Sequence, residues 1–431
     1  MFRSFLHYIL RWLAKKILKK YKPDVIGITG SVGKTSGKEA IATVLESKFS
    51  VRKSSKNYNN EIGVPLTIIG VEKTAGKSVF GWIKIFGKAL SLIFMRDKNY
   101  PEMLVLEMGA DKPGDVQYLV EIAQCKVGVL TFISHAHTEF FKTIKKIAQE
   151  KRIIISHLLQ DGCAVINFDN EMVMECAPTT KAEVMTYGFK EGAGLRATDV
   201  NFIKNDVGWP VGINFKVLYK GNVVPVYVQG VVSRSAIYAS LAGLAVGLFF
   251  GVNLVEGSQA LSKLRGLPGR MRLINGIKGT LIIDDTYNSS PEAAKSAIDT
   301  TAQIEINVGS KRFVVMGGML ELGSETENLH RELGFKIAEL EIDYLITVGE
   351  AAKHIAHAAK EAGMDEHRIA IFPKAEVAGT FLQDKIKTGD LILVKGSQSM
   401  RMEIVVKEIM AEPLLAPQLL ARQGSEWAGK S

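Results

Sequence analysis

Gly27-Ile-Thr-Gly30-Ser-Val-Gly33-Lys34-Thr35-Ser36 decides the reading of this chain, because both of its flanks fit one purpose. Val25 to Ile28 is a short apolar run of the kind that forms a buried strand. Lys34 to Lys48 carries Ala40, Ile41, Val44 and Leu45 at helical spacing. Strand, glycine turn and helix make a phosphate cradle, in which backbone N–H groups and a helix N-terminus face polyphosphate. The spacing assigns Gly30, Ser31, Val32, Gly33 and Ser36 to the cradle, Lys34 to the β/γ-phosphates and the Thr35 hydroxyl to Mg²⁺. The alternative is an ordinary glycine-rich turn. One departure stands out: Ile28 occupies the place, five residues before Gly33, where a general P-loop has glycine.

A chain of 431 residues with 47% hydrophobic residues is globular and too long for a single core. Its net charge of +9 suggests nucleic acid until the charges are located. Arg3, Arg11, Lys15, Lys16, Lys19, Lys20 and Lys22 all precede the first acid, Asp24, so the body is nearly neutral and a nucleic-acid partner loses its support. Phe2, Phe5, Leu6, Ile9, Leu10, Leu13 and Ile17 recur at helical spacing among those cations. Seven cations exclude a spanning helix, so residues 1–23 are expected to lie on an anionic membrane face or to pack on the protein's own body. Val79 to Met95 is a second such stretch, with only Lys84 and Lys88 charged. Cys125, Cys163 and Cys176 lack metal spacing and read as free thiols of a reducing cytoplasm, and no cleavable signal peptide is evident.

Along the chain, apolar strands at 103–107 and 127–133 alternate with helices at 115–123 and 144–159, the pattern of a doubly wound α/β core. Residues 180–232 are richer in Val, Tyr and turn residues and predict an antiparallel sheet flanking that core. Glycine and proline cluster at Leu264 to Gly269, a domain boundary. Beyond it, strands at 281–283, 313–316, 344–348 and 391–394 predict a second, Rossmann-like α/β domain over 266–411, after a central ATP-binding domain over 24–265. Residues 412–431 read as a loose tail. Glu107 and His137 end successive core strands, at the sheet edge where ligands sit beside the phosphate loop. A carboxylate and an imidazole there suit a divalent cation; each also has an ordinary reading, as a cap or a loop hydrogen bond.

These residues resemble the Mur ligase family. The phosphate loop with its displaced glycine, NYNNEIGVPLT (57–67), LEMGAD (106–111), AHTEFF (136–141), GLPGRMR (266–272) and DDTYNSSPEA (284–293) match it in order. VMGGMLELGSETENLHRELG (315–334) and VKGSQSMRME (394–403) are closest to its MurF branch. The resemblance covers about residues 24–410 and implies an ATP- and Mg²⁺-dependent amide ligase of peptidoglycan precursor synthesis, working on a UDP-muramoyl-peptide and D-alanyl-D-alanine, cytoplasmic and monomeric. It implies that Lys34 and Thr35 hold phosphate and metal, and that Glu107, His137 and a carbamylated Lys151 hold metal. Arg270, Asp285 and Asn288 would come to the nucleotide from the second domain, Arg270 neutralising phosphate charge and Asp285 holding ribose. Asn57, Asn60, Lys395, Ser397 and Ser399 would meet the substrates.

Two departures bear on the substrate. Such ligases begin with a separate domain for the UDP-muramoyl end, and here only about 23 residues precede the first strand. That site is missing or rebuilt, with 71–101 the candidate for rebuilding. Also, Ser235, Ala236 and Ala239 stand where the family has a His-Asn pair and a further Asn that contact adenine. The rival readings are a related ligase on another carboxylate, such as a folate-type polyglutamate, and a non-ligase P-loop NTPase.

Overall fold

The structure is a computed structural model that describes residues 2–55, 58–72, 74–76, 78–134, 141–424 and 427. Strand β1 (Asp24–Thr29) lies between β3 (Met103–Glu107) and β4 (Val127–Leu130), parallel to both, with every residue after Asp24 buried. Val25 packs with Leu104 and Leu106 on one face; Ile26 and Ile28 pack with Val105, Val127 and Val129 on the other. A strand covered on both faces reads as a continuous apolar run, which explains Val25 to Ile28. Among the described residues the sheet has nine strands, ordered β2 (Val51–Lys53), β3, β1, β4, β5 (Cys163–Asn167), β6 (Glu183–Gly188), β7 (Leu195–Lys204), β8 (Pro210–Tyr219) and β9 (Asn222–Gln229). The antiparallel strands β7 to β9 do not form the separate flanking sheet expected from sequence. They continue the same sheet, because β6 pairs with β7 in parallel through Tyr187 and Leu195.

Helices α2 (Lys34–Leu45) and α7 (Arg234–Phe249) cover one face of that sheet. The other face carries α3 (Gly63–Ile69), α5 (Asp115–Ile122) and α6 (Ile144–Lys151). Over these lie α1 (Phe2–Tyr21) and α4 (Val79–Phe94). The apolar face of α1 is covered by the protein itself, since Leu10, Leu13, Ala14 and Ile17 are buried in the same core as Leu66, Ile68 and Leu119. Arg11 donates to Glu121 at 2.8 Å. Of the two readings of residues 1–23, packing on the body accounts for Leu6, Leu10, Leu13 and Ile17 of the apolar stripe, while Phe5 stays exposed.

The second sheet begins at β10 (Arg272–Asn275) and runs in the order β10, β11 (Leu281–Asp285), β15 (Leu391–Lys395), β12 (Arg312–Gly317), β13 (Tyr344–Val348), β14 (Ile369–Phe372). Strands β10 and β14 are edge strands absent from the sequence reading; each has four residues and is half-exposed, too short for a clear period. The tail corrects the sequence reading. Leu420 and Ala421 are buried, and Arg422 donates to Glu403 at 2.8 Å and to the Thr286 carbonyl at 3.1 Å, so residues 413–424 are part of the second domain.

Candidate active site

The carboxyl end of β1 delivers the phosphate loop. Gly30 and Gly33 have φ of 153° and 88°, conformations open to glycine, and Gly33 starts α2. A Cβ on Gly30 would stand 1.9 Å from Thr131 Oγ1. That hydroxyl donates to Val32 O at 2.6 Å, and Ser31 N donates to Phe132 O at 2.6 Å, so the loop is pinned to the end of β4. Gly27 has another task. A Cβ there would lie 2.5 Å from Cys125 Sγ, so Gly27 permits close packing beneath the loop.

Thr35 opens α2 with its Oγ1 donating to Glu107 Oε2 at 3.1 Å. Glu107, buried at the end of β3, also accepts from Asn59 Nδ2 at 3.3 Å. A hydroxyl and a carboxylate so placed fit a hard divalent cation that takes its remaining ligands from phosphate and water. Among the described residues no cluster of three His, Cys, Asp or Glu side chains gathers to hold a metal by itself. His137 and Asn57 lie outside the described residues. Lys34 Nζ donates back to Gly30 O at 2.7 Å, and burial lowers its pKa, against the opposing charge of Glu107. Lys151 is buried on α6; burial first, and then the charge of Lys34, push its pKa down to about 7. Its neighbour Glu150 is engaged elsewhere, accepting from Gly114 N and Val116 N at 2.8 Å to cap α5.

The second domain brings Arg270 across. Its guanidinium stacks 4.1 Å from the Tyr287 ring centre, and Nη2 comes 3.5 Å from Thr35 Oγ1. Arg270 Nε is buried and finds no hydrogen-bond partner among the described residues. A buried donor left open costs about 1–3 kcal/mol, and beside Lys34 it fits an anionic ligand. Asp285 and Lys395 form a buried ion pair of 2.6 Å; Asp285 also accepts from Met271 N at 3.1 Å, and Lys395 donates to Asn288 O at 2.9 Å. The cleft between the domains encloses about 970 Å³ and is lined from Ser31 and Lys34 on one side to Ser289, Ser397 and Ser399 on the other.

The Mur ligase middle domain model matches residues 28–80 and 84–242, and the Mur ligase, glutamate ligase domain model matches 269–398. The chain belongs to the Mur ligase family. It is 29% identical over 405 residues to the UDP-N-acetylmuramoyl-tripeptide–D-alanyl-D-alanine ligase of Bacillus subtilis, covering 94% of this chain and 80% of that one. MurF from Thermotoga maritima, solved in complex with ADP, superposes with a TM-score of 0.76 at 28% identity, covering 93% of this chain and 83% of the other. MurF from Acinetobacter baumannii gives 0.76 at 25% identity, over 93% and 79%. Like those relatives, this Mur ligase has an α/β architecture with a P-loop sheet and a Rossmann-like C-terminal sheet.

Within this Mur ligase the cleft gathers Gly33, Lys34, Thr35, Glu107, Arg270, Asp285 and Asn288. Asn60 is instead used locally, its Oδ1 accepting from Ile62 N at 3.2 Å and Gly63 N at 2.9 Å to start α3. Asn59, its neighbour in the same run, is the amide that reaches Glu107. Of the three positions that depart from the family, Ser235 and Ala239 line the cleft. Beside them Tyr238 donates to Asp169 at 2.8 Å, and Arg234 stacks 4.3 Å from the Phe189 ring centre. Trp427, from the tail, also lines the cleft, whereas among the described residues none of its lining comes from 71–101.

Proposed function

We propose that this chain is an ATP-dependent, ADP-forming ligase that joins the terminal carboxylate of a UDP-muramoyl-tripeptide to the amine of D-alanyl-D-alanine. The observation that carries the reading is Arg270: a buried cation from the second domain, its Nε unpaired among the described residues, placed against Thr35 of the phosphate loop. A nucleotide-binding module alone has no need of such a crossing. A carboxylate is a poor electrophile, so its oxygen attacks the γ-phosphorus of ATP, ADP leaves and an acyl phosphate forms. The amine then attacks the acyl carbon, phosphate departs with the original carboxylate oxygen, and an amide remains. Lys34 and Arg270 offset the negative charge that builds on the transferring group. Thr35 and Glu107, with His137, would hold Mg²⁺, which supplies Lewis-acid polarisation of the phosphoryl oxygens when bound. Lys151, its pKa brought down to about 7 by burial and so neutral in about half of the molecules at pH 7, is the amine suited to carbamylation, and would then add an anionic ligand beside Lys34.

The ligase works as a monomer in the cytoplasm, where UDP-linked precursors are soluble, with peripheral contact at the membrane face. The test is ADP release measured with each substrate withheld in turn. Release that needs both the tripeptide precursor and the dipeptide supports the reading; release indifferent to both points to a simple NTPase.

A further inference from the structure

Helix α4 has two apolar faces, and only one is used inside the protein. Ile85, Ala89 and Leu92 are buried against the core that α1 shares. On the opposite side Val79, Phe80, Ile83, Leu90 and Phe94 follow one another at helical spacing and face solvent, with Phe80 at 80%, Ile83 at 58% and Phe94 at 81% exposure. Sixteen residues at 1.5 Å each make this stripe about 24 Å long. Single exposed apolar residues are ordinary, but a continuous stripe on one helix marks a docking surface.

Helix α1 lies against α4 and is tied to its end. Lys20 Nζ donates to the carbonyls of Leu92 at 2.8 Å, Ile93 at 2.9 Å and Met95 at 2.7 Å, capping the C-terminus of α4. The outward side of α1 exposes Phe5, Tyr8 and Trp12, and its Lys15, Lys16 and Lys19 are exposed as well. Neither helix contains an acidic residue. The carboxylates beside them are engaged or lie past the helix end: Glu121 is paired with Arg11, Glu61 Oε1 lies 3.9 Å from His7 Nε2, and Asp97 follows α4.

We infer that the outer stripe of α4, flanked by the cations of α1 and by Lys84, is a peripheral docking surface for an anionic lipid bilayer. Charge decides the occupant. A second copy docking through the same face would set lysines against lysines, whereas anionic headgroups complement them and the acyl boundary receives the apolar stripe. Among the described residues no helix is long and apolar enough to cross a membrane, so the attachment is interfacial. This assignment rests on the peripheral contact proposed for the ligase and moves it from the apolar stripe of α1, whose Leu6, Leu10, Leu13 and Ile17 are buried, to the outer face of α4.

The experiment uses the full chain and sedimented vesicles of phosphatidylcholine alone or mixed with phosphatidylglycerol, at low and high salt. The wild type should pellet with the mixed vesicles, hardly with phosphatidylcholine, and less in high salt as the Debye length shrinks. Phe80→Asp with Phe94→Asp should weaken binding at least tenfold, and Lys15→Gln, Lys16→Gln and Lys19→Gln together should weaken it and flatten the salt dependence. Both variants change exposed side chains only, so their substrate-dependent ADP release should match the wild type. Truncating α1 is not a usable test, because it would remove Leu10, Leu13 and Ile17 and uncover the core they cover, Leu66, Ile68 and Leu119 among it. Wild-type binding by the Phe80/Phe94 variant overturns the assignment; if Phe5→Ser with Tyr8→Ser then abolishes binding, the peripheral contact stands and belongs to α1. Equal binding to neutral vesicles, or no binding to either, overturns it too. So does a wild type that ignores vesicles but self-associates through Phe80 and Phe94.

Discussion

Replacing Lys395 with Met tests whether this lysine is scaffold or substrate contact. Its Nζ lies 2.6 Å from Asp285 Oδ2, with side-chain exposures of 2% and 11%. Methionine keeps the four-atom stem of the side chain but leaves the Asp285 carboxylate buried without its cation, beside Asp284, whose own pKa burial raises to about 6. Removing one partner of a buried pair costs about 3–5 kcal/mol. In the double variant Lys395→Met/Asp285→Asn the amide oxygen can still accept from Met271 N, and only the donor to Asn288 O is lost, a cost of about 1–2 kcal/mol. The single variant is therefore expected to be less stable than the double by about 1–4 kcal/mol. A two-domain chain does not unfold in one step, so the readout is hydrogen exchange of the amides of β11 and β15. Protection there should fall by roughly two to three and a half powers of ten in the single variant, at about 1.4 kcal/mol per tenfold, and mostly return in the double. Equal losses in both variants would refute the argument. A KM for the dipeptide that rises alike in both would instead return Lys395 to the substrate-contact reading.

Lys34→Ala should lower kcat by about 10²–10³-fold with the circular dichroism unchanged, because its charge acts on the transferring phosphoryl group and supports no core; retention of a tenth of the turnover would remove it from that role. Gly30→Ala should lose ATP binding, measured by calorimetry, and cost about 1–3 kcal/mol of stability, since the new Cβ would stand 1.9 Å from Thr131 Oγ1; normal affinity would contradict the loop geometry. For Lys151 the pKa is about 7 folded and 10.5 unfolded, so the unfolded chain holds the extra proton between those values and stability from this group rises with pH across that window. Lys151→Met should thus raise the melting temperature most below pH 7, in bicarbonate-free buffer, with the gain shrinking toward pH 10.5; a gain constant with pH would mean that the buried amine is not the cause.

The phosphate loop and the alternation of the two cores were legible because they are local: an apolar run, a glycine turn and a helix carry their own signals. What failed to show depended on distant partners. Periodicity marks the apolar face of α1 but cannot say that α3 and α5 cover it, and the second apolar face of α4 looks the same in sequence as the first. In the run Tyr58-Asn59-Asn60, three-dimensional placement alone decides that Asn59 reaches Glu107 while Asn60 caps α3. The tail lacks periodicity, yet Arg422 finds Glu403 and the carbonyls of Thr286 and Tyr287, so 413–424 are held by polar contacts that composition does not reveal. Lys395 sits in a motif associated with substrate, but its partner Asp285 lies 110 residues away, in a motif that the resemblance ties to ribose.

The most direct test of the account follows one oxygen atom. The tripeptide precursor is labelled with ¹⁸O in its terminal carboxylate and incubated with ATP, Mg²⁺, D-alanyl-D-alanine and the full chain, and the released phosphate is analysed by mass spectrometry. Attack of the carboxylate on the γ-phosphorus predicts one ¹⁸O in each phosphate, in equal amount to ADP and to the amide formed. Unlabelled phosphate, or ADP released with no amide, would contradict it.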